Sequence, residues 1–416
     1  MLKLSSINLL LRIITLGSKF LLIMSMTRLL APAEVGIYGV LSTTIGLSIY
    51  IVGMDFYVFN TREILSSKSK DKELFIRDQF LFHIFSYVIF LPILIILFIL
   101  NIIPVKYAFI FYVLLVLEHL SQEFNRVFIT LSKPIVANVT LFFRSGAWAY
   151  AAMILFFISD DTHNLWTVLM GWVSGVLFSV LLSIYYLKDL NWYIVKNKKV
   201  NWKWVKRGVV VSFPLFVGNI ALKLAEYLDR YFITFYKGKA LVGAYTFYGS
   251  LSNLLVIFAQ TGVIMILGPK VIRNFQSGDY KIYKIQMKKM TSGVIISTIF
   301  ISLALAIGII PITKLIGKPI YANHLSAYWT LIGAYAFSVL ALLPHQTLYV
   351  RFKDKAIIVS SLISLGVSLL LNILLVPKFG LIGGATSTFG AFFTLFILKL
   401  LFAIKYKNVR EPIEKN

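Results

Sequence analysis

Nine ionisable residues lie deep inside long apolar stretches of this chain: Arg12, Lys19, Glu118, Glu123, Arg144, Lys223, Glu226, Asp229 and Arg230. Left facing hydrocarbon, each would cost about 2.5–3.5 kcal/mol, or roughly 20–30 kcal/mol together. They must therefore face one another, water or a charged ligand. Glu226 has Lys223 three residues before it and Arg230 four after, and Glu123 has Arg126 three residues on. These are the spacings of neighbours on one helix face, so Glu123, Arg126, Asp229 and Arg230 are expected to pair locally. Arg12, Lys19 and Arg144 have no acid within one helical turn. They point to a water-filled cavity or an anionic ligand, with pairing across helices as the rival. Glu118, His119, Gln122, Glu123 and Arg126 cover an arc of about 140° on one helix, as a cavity wall would.

The missing chemistry narrows the field further. With no cysteine, the chain has no disulfide framework, no thiolate metal site and no thiol nucleophile. His83, His324 and His345 stand alone without acid-rich partners in sequence, so they read as structural or lumen-lining, and no metal site is expected. There is no phosphate-binding Walker loop, GxSxG elbow or HExxH pair. The chain is expected to move something rather than convert it, and is not read as an enzyme.

The elements that must position these groups follow from composition. Of 416 residues, 59% are hydrophobic and 14% charged, against roughly a quarter charged in soluble proteins. Mean hydropathy is +0.83. A soluble globule is excluded, and the continuous apolar run from Ile84 to Leu100 excludes an alternating outer-membrane barrel. The fold class is all-α integral membrane. Charge clusters and Pro/Gly punctuation give twelve spans, at about 7–30, 35–59, 79–101, 107–130, 135–158, 164–187, 208–233, 241–267, 290–313, 323–349, 356–376 and 383–404.

Net charge is +24, yet the cations sit mostly in loops, so nucleic acid is not the expected partner. With a cytoplasmic N-terminus, 27 Lys or Arg fall in inner segments and six in outer loops, which places both termini inside. The longest inner loop, 188–207, mixes Trp192, Tyr193, Trp202 and Trp204 with cations and reads as an interfacial linker on an anionic leaflet. It separates an N-terminal six-helix lobe, 1–187, from a C-terminal one, 208–416. Val35-Gly36-Ile37-Tyr38 recurs as Val242-Gly243-Ala244-Tyr245, and the stripe Asn8, Arg12, Thr15, Lys19 recurs in spacing as Asn219, Lys223, Glu226, Arg230. Two lobes of six helices each share an orientation, so a pseudo-two-fold axis along the membrane normal is expected.

Three segments resemble the polysaccharide transporter branch of the multidrug/oligosaccharidyl-lipid/polysaccharide exporter superfamily, specifically Wzx-type O-antigen flippases. They are Arg28-Leu-Leu-Ala-Pro-Ala-Glu34-Val-Gly36-Ile-Tyr38, then Asp229-Arg230 followed by Gly238 and Val242-Gly243-Ala244-Tyr245, then Val376-Pro377-Lys378-Phe379-Gly380-Leu-Ile-Gly383-Gly384-Ala385. The resemblance implies a central cavity opening alternately to either side of the bacterial inner membrane. Through it, undecaprenyl-diphosphate-linked oligosaccharide, the O-antigen repeat unit, would pass from the cytoplasmic to the periplasmic leaflet. Arg12, Lys19, Arg144, Lys223 and Arg230 are the substrate-binding candidates, because a diphosphate needs cations and arginine offers it paired donors. No cofactor is expected. A proton or sodium gradient is the implied coupling, with Glu118, Glu123, Glu226 and Asp229 as its acids. Partners would be membrane lipids and the polysaccharide polymerase and chain-length proteins of lipopolysaccharide biosynthesis. The alternatives are a multidrug exporter on the same fold, disfavoured by the excess of cations over acids, and a membrane glycan polymerase or ligase, disfavoured by short outer loops.

Overall fold

The computed structural model describes residues 2–66, 72–196 and 198–406, with the side chains of 2–10, 12 and 13 left aside. Among the described residues the chain is helical and contains no strand. Helix α1 (Leu2–Leu29) is followed by eleven helices long and apolar enough to cross a membrane. These are α2 (Pro32–Gly53), α3 (Lys72–Ile99), α4 (Val105–Thr130), α5 (Pro134–Ile158), α6 (Leu165–Leu187), α7 (Trp202–Lys237), α8 (Lys239–Gln276), α9 (Tyr280–Ile316), α10 (Leu325–Tyr349), α11 (Asp354–Phe379) and α12 (Leu381–Lys405). The twelve expected spans are therefore in place, in an all-α integral membrane protein. Phe109, Phe157 and Ile307 are 83%, 87% and 76% exposed. Side chains of this kind are stable there only with lipid as the solvent.

The chain divides into two compact units, Met1–Phe216 and Val217–Asn416. The boundary falls within α7, which runs unbroken through it. In the first unit the expected linker is partly packed: Trp204 is 7% exposed, and its ring lies 5.5 Å from Phe56, 5.2 Å from Phe59 and 5.0 Å from Phe75. Arg77 holds the preceding chain by donating to the carbonyls of Val195 and Lys199 at 3.0 and 3.1 Å. Trp202 and Tyr193, 50% and 75% exposed, remain on the outside.

Local chemistry sets the helix ends. Pro32 opens α2, where its missing N–H removes nothing. Glu34 accepts from the backbone N–H of Ala31 at 3.3 Å and from that of Leu165, the first residue of α6, at 3.0 Å. The Pro-Ala-Glu segment thus ties two helix starts together. Asn164 caps α6 by accepting from Thr167 N at 3.1 Å, and Asp279 caps α9 by accepting from Ile282 N at 3.0 Å.

In the second unit, the turn from α11 to α12 needs Gly380, whose φ is +59. It also needs Gly383, where a Cβ would stand 2.5 Å from the carbonyl oxygen of Leu375. Serines along α11 are buried and bonded to backbone: Ser364 Oγ donates to Ala391 O at 2.6 Å and Ser368 Oγ to Ala225 O at 3.1 Å. It packs helices closely, as small polar residues do in membranes.

Candidate functional site

Within α5 the residues Phe143–Ala147 form a π turn, which carries Arg144. Such turns widen a helix by one residue and free backbone groups. Here the carbonyl of Arg144 accepts from the indole Nε1 of Trp148 at 2.9 Å. The Arg144 side chain reaches α4, donating from Nε to Glu118 Oε2 at 2.5 Å and from Nη2 to Gln122 Oε1 at 2.9 Å. Glu118 Oε1 accepts from Trp172 Nε1 of α6 at 2.6 Å, and the Trp172 ring stacks on Trp148 with an interplanar angle of 13°. Arg144 is thus paired across helices, not free, and both its partners lie on the α4 arc expected to line a cavity. Lys19, on α1, is exposed and within electrostatic reach of both Glu118 and Arg144. The Arg12 side chain lies outside the described residues.

Glu123, 0% exposed, pairs with Arg126 at i+3 as expected, and the Arg126 guanidinium lies 3.6 Å from the ring centre of Tyr57. Its other oxygen accepts from Gln79 Nε2 at 2.6 Å. The structure also brings His83 of α3 and His119 of α4 to Glu123, with ring centroids 4.6 Å apart. His83 is therefore not solitary. Gln79 and His83 on α3, and His119 and Glu123 on α4, are each four residues apart and share a helix face, which are the sequence signals that mark this cluster. Asp55, near the end of the second span, is 2% exposed. It sits at positive φ where α2 breaks before the helix Phe56–Ser66, within electrostatic reach of Arg126. A half-buried cation and a chain break hold it inside.

In the second unit the pair Lys223 and Glu226 forms at i+3, Nζ to Oε2 2.8 Å, and the ammonium lies 5.3 Å from the Tyr227 ring. Asp229, 2% exposed, accepts from Thr388 Oγ1 at 2.6 Å and from the hydroxyl of Tyr245, the tyrosine of the repeated Val-Gly-x-Tyr segment. Its Oδ1 accepts from the backbone N–H of Arg230 at 2.7 Å. The Arg230 guanidinium is 7% exposed, lies 5.0 Å from the Tyr227 ring, and leaves Nε and Nη1 without a hydrogen-bond partner. Gly249 makes room for it: a Cβ there would stand 2.9 Å from Nη2. Lys399, near the end of the last span, is 4% exposed.

Trp172, Tyr245, Thr388 and Gly249 were not singled out as partners of these charges. Nothing in the sequence separates them from the many other aromatic and small residues of the spans.

Solved structures share this fold. A multidrug resistance MATE family transporter of the MOP superfamily, in its inward-facing conformation, is 12% identical over 94% of this chain and 96% of that chain, with a TM-score of 0.72. The lipid II flippase MurJ in an inward closed conformation is 16% identical over 95% of this chain and 87% of that chain, with a TM-score of 0.68. A MATE structure in a bent conformation is 11% identical over 94% and 92%, with a TM-score of 0.55. At such identities the likeness is one of fold. Among curated proteins no match is found. Residues 1–266, well over half of the chain, match the family described as polysaccharide biosynthesis protein, and the chain belongs to that family.

Proposed function

We propose that this protein flips an oligosaccharide carried on undecaprenyl diphosphate, an O-antigen repeat unit, across the bacterial inner membrane from the cytoplasmic to the periplasmic leaflet. The observation that carries this reading is the guanidinium of Arg230, buried and with two nitrogens free to donate. A diphosphate supplies paired acceptors of matching shape, and their attraction strengthens away from water. Family membership supports a glycan substrate, and the lipid II flippase of the same fold suits a lipid-linked one. Lys19, exposed within a span of the first unit, would offer an anionic substrate a mobile point charge. Arg144 and Lys223, each held by an acid, would shape the path rather than grip the substrate.

The isoprenoid tail would stay in lipid while the head group crosses by alternating access, with both termini cytoplasmic. Asp229, held by two hydroxyls, is the acid we assign to a proton or sodium coupling step. The polysaccharide polymerase and chain-length proteins would take the product. An exporter of organic cations would need open acids, whereas Glu118, Glu123 and Glu226 are each bonded to a cation.

The test is lipid analysis of a host lacking the gene. The diphosphate-linked oligosaccharide should accumulate on the inner leaflet, clear on complementation with the wild type, and persist with Arg230→Gln. Repeat units that reach the outer leaflet of the deletion host but stay unpolymerised would replace this reading with an enzymatic one.

A further inference from the structure

We propose that His83, His119 and Glu123 form a binding site for a divalent transition metal of the zinc class, buried in the first unit between α3 and α4. Two imidazoles and one carboxylate are a recurrent donor set for such ions, and imidazole nitrogen selects them over sodium or magnesium, which prefer oxygen. The donor atoms all lie within 4.8 Å of one another. His83 Nε2 is 3.6 Å from Glu123 Oε2, and His119 Nε2 is 3.9 Å from Glu123 Oε1. Two ligands of a tetrahedral zinc ion, each about 2.1 Å from the metal, stand about 3.4 Å apart, so small side-chain shifts suffice.

Three further observations single this cluster out. First, both histidines are 0% exposed, and His119 Nε2, which faces the carboxylate, has no hydrogen-bond partner. A ring nitrogen buried without a partner is costly, and a metal ion would satisfy it. Its other nitrogen, Nδ1, shares a 2.7 Å hydrogen bond with the Tyr87 hydroxyl, the kind of outer contact that orients a ligating imidazole.

Second, space is reserved beside that nitrogen. Gly53 ends α2 there, and a Cβ on it would stand 3.1 Å from His119 Nε2 and 3.8 Å from Glu123 Oε1. Ser86 Oγ, donating to Val52 O at 2.6 Å, holds this helix end in place.

Third, an amide side chain adjoins the carboxylate. Gln79 Nε2 donates to Glu123 Oε2 at 2.6 Å, so the carboxylate oxygen nearest His83 is held by a side chain that can turn. Gln79 completes the surroundings: Asn60 Nδ2 bonds its Oε1, while Asn60 Oδ1 has no hydrogen-bond partner. Rotating both amides would satisfy Asn60 Oδ1 and turn the Gln79 oxygen toward the metal as a fourth ligand.

This inference is independent of what the protein transports. The test uses the full chain, free of any histidine tag, in detergent at neutral pH. Zn2+ is added, and metal retained per chain after gel filtration is measured by mass spectrometry; Co2+ then reports ligand geometry through its visible absorption. The expected result is about one Zn2+ per chain, tetrahedral-type Co2+ bands, and binding at least tenfold weaker in His83→Gln and in His119→Gln. His345→Gln, a histidine of the second unit, should bind as the wild type does. Wild-type protein that retains no stoichiometric Zn2+ overturns the proposal without recourse to any variant. Retention that survives both His83→Gln and His119→Gln, or falls equally in His345→Gln, overturns it too.

Discussion

Removing the Glu118 carboxylate should unfold this protein more readily than any transport defect would suggest. In Glu118→Ala the Arg144 guanidinium loses its 2.5 Å partner and keeps only Gln122 at 2.9 Å, while Trp172 Nε1 loses its acceptor. The two side chains are 14% and 8% exposed, so solvent screens little of this. Stranding one member of such a pair costs about 3–5 kcal/mol. Replacing both, as in Glu118→Leu with Arg144→Leu, removes the stranded charge and should recover about 2–3 kcal/mol relative to the sum of the single changes. Thermal and denaturant unfolding of the purified variants in detergent, read as a double-mutant cycle, measures this coupling. Single effects that add to within about 0.5 kcal/mol of the double variant would refute the claim that Arg144 is a structural cation.

Three other outcomes follow from the same geometry. Lys19→Ala, which removes an exposed cation, should lower substrate flipping in the complementation assay at least tenfold while shifting unfolding by no more than about 0.5 kcal/mol. Tyr245→Phe removes a hydroxyl donor to the Asp229 carboxylate and should destabilise the purified protein by about 1.5–3 kcal/mol in unfolding measurements. Gly383→Ala forces a Cβ to 2.5 Å from the Leu375 carbonyl, and should cost about 1–3 kcal/mol and reduce membrane abundance on immunoblots.

The spans were legible because the bilayer demands about 20 apolar residues per crossing, whatever their partners. Their ends were less so. Helix α9 starts at Tyr280, well before the apolar run, because Lys281, Lys284 and Lys288 tolerate helix as readily as loop once outside lipid. Contacts within one turn were also readable: Lys223 with Glu226, and Glu123 with Arg126, formed as their spacing required. Arg144 and Glu118 are 26 residues apart on different helices, and no spacing rule links them. Arg230 shows the converse. Glu226 stands one turn away with the favourable spacing, yet the guanidinium turns to Tyr227 and the gap left by Gly249, because neighbouring helices rather than sequence distance decide where a long side chain finds room. The meeting of His83 with His119 is not written in the sequence for the same reason, since it depends on how α3 lies against α4.

The π turn at Phe143–Ala147 is equivalent to one residue inserted into an otherwise regular helix. Straightening that turn into regular α-helix with every residue kept would rotate everything beyond it by about 100°. Trp148 would swing off Trp172, and Gly146, whose Cβ position is 3.2 Å from the Thr15 backbone, would give way to a bulkier neighbour. The phase of half a transmembrane helix thus hangs on one widened turn, so in this segment the backbone's shape matters more than the identity of most side chains it carries.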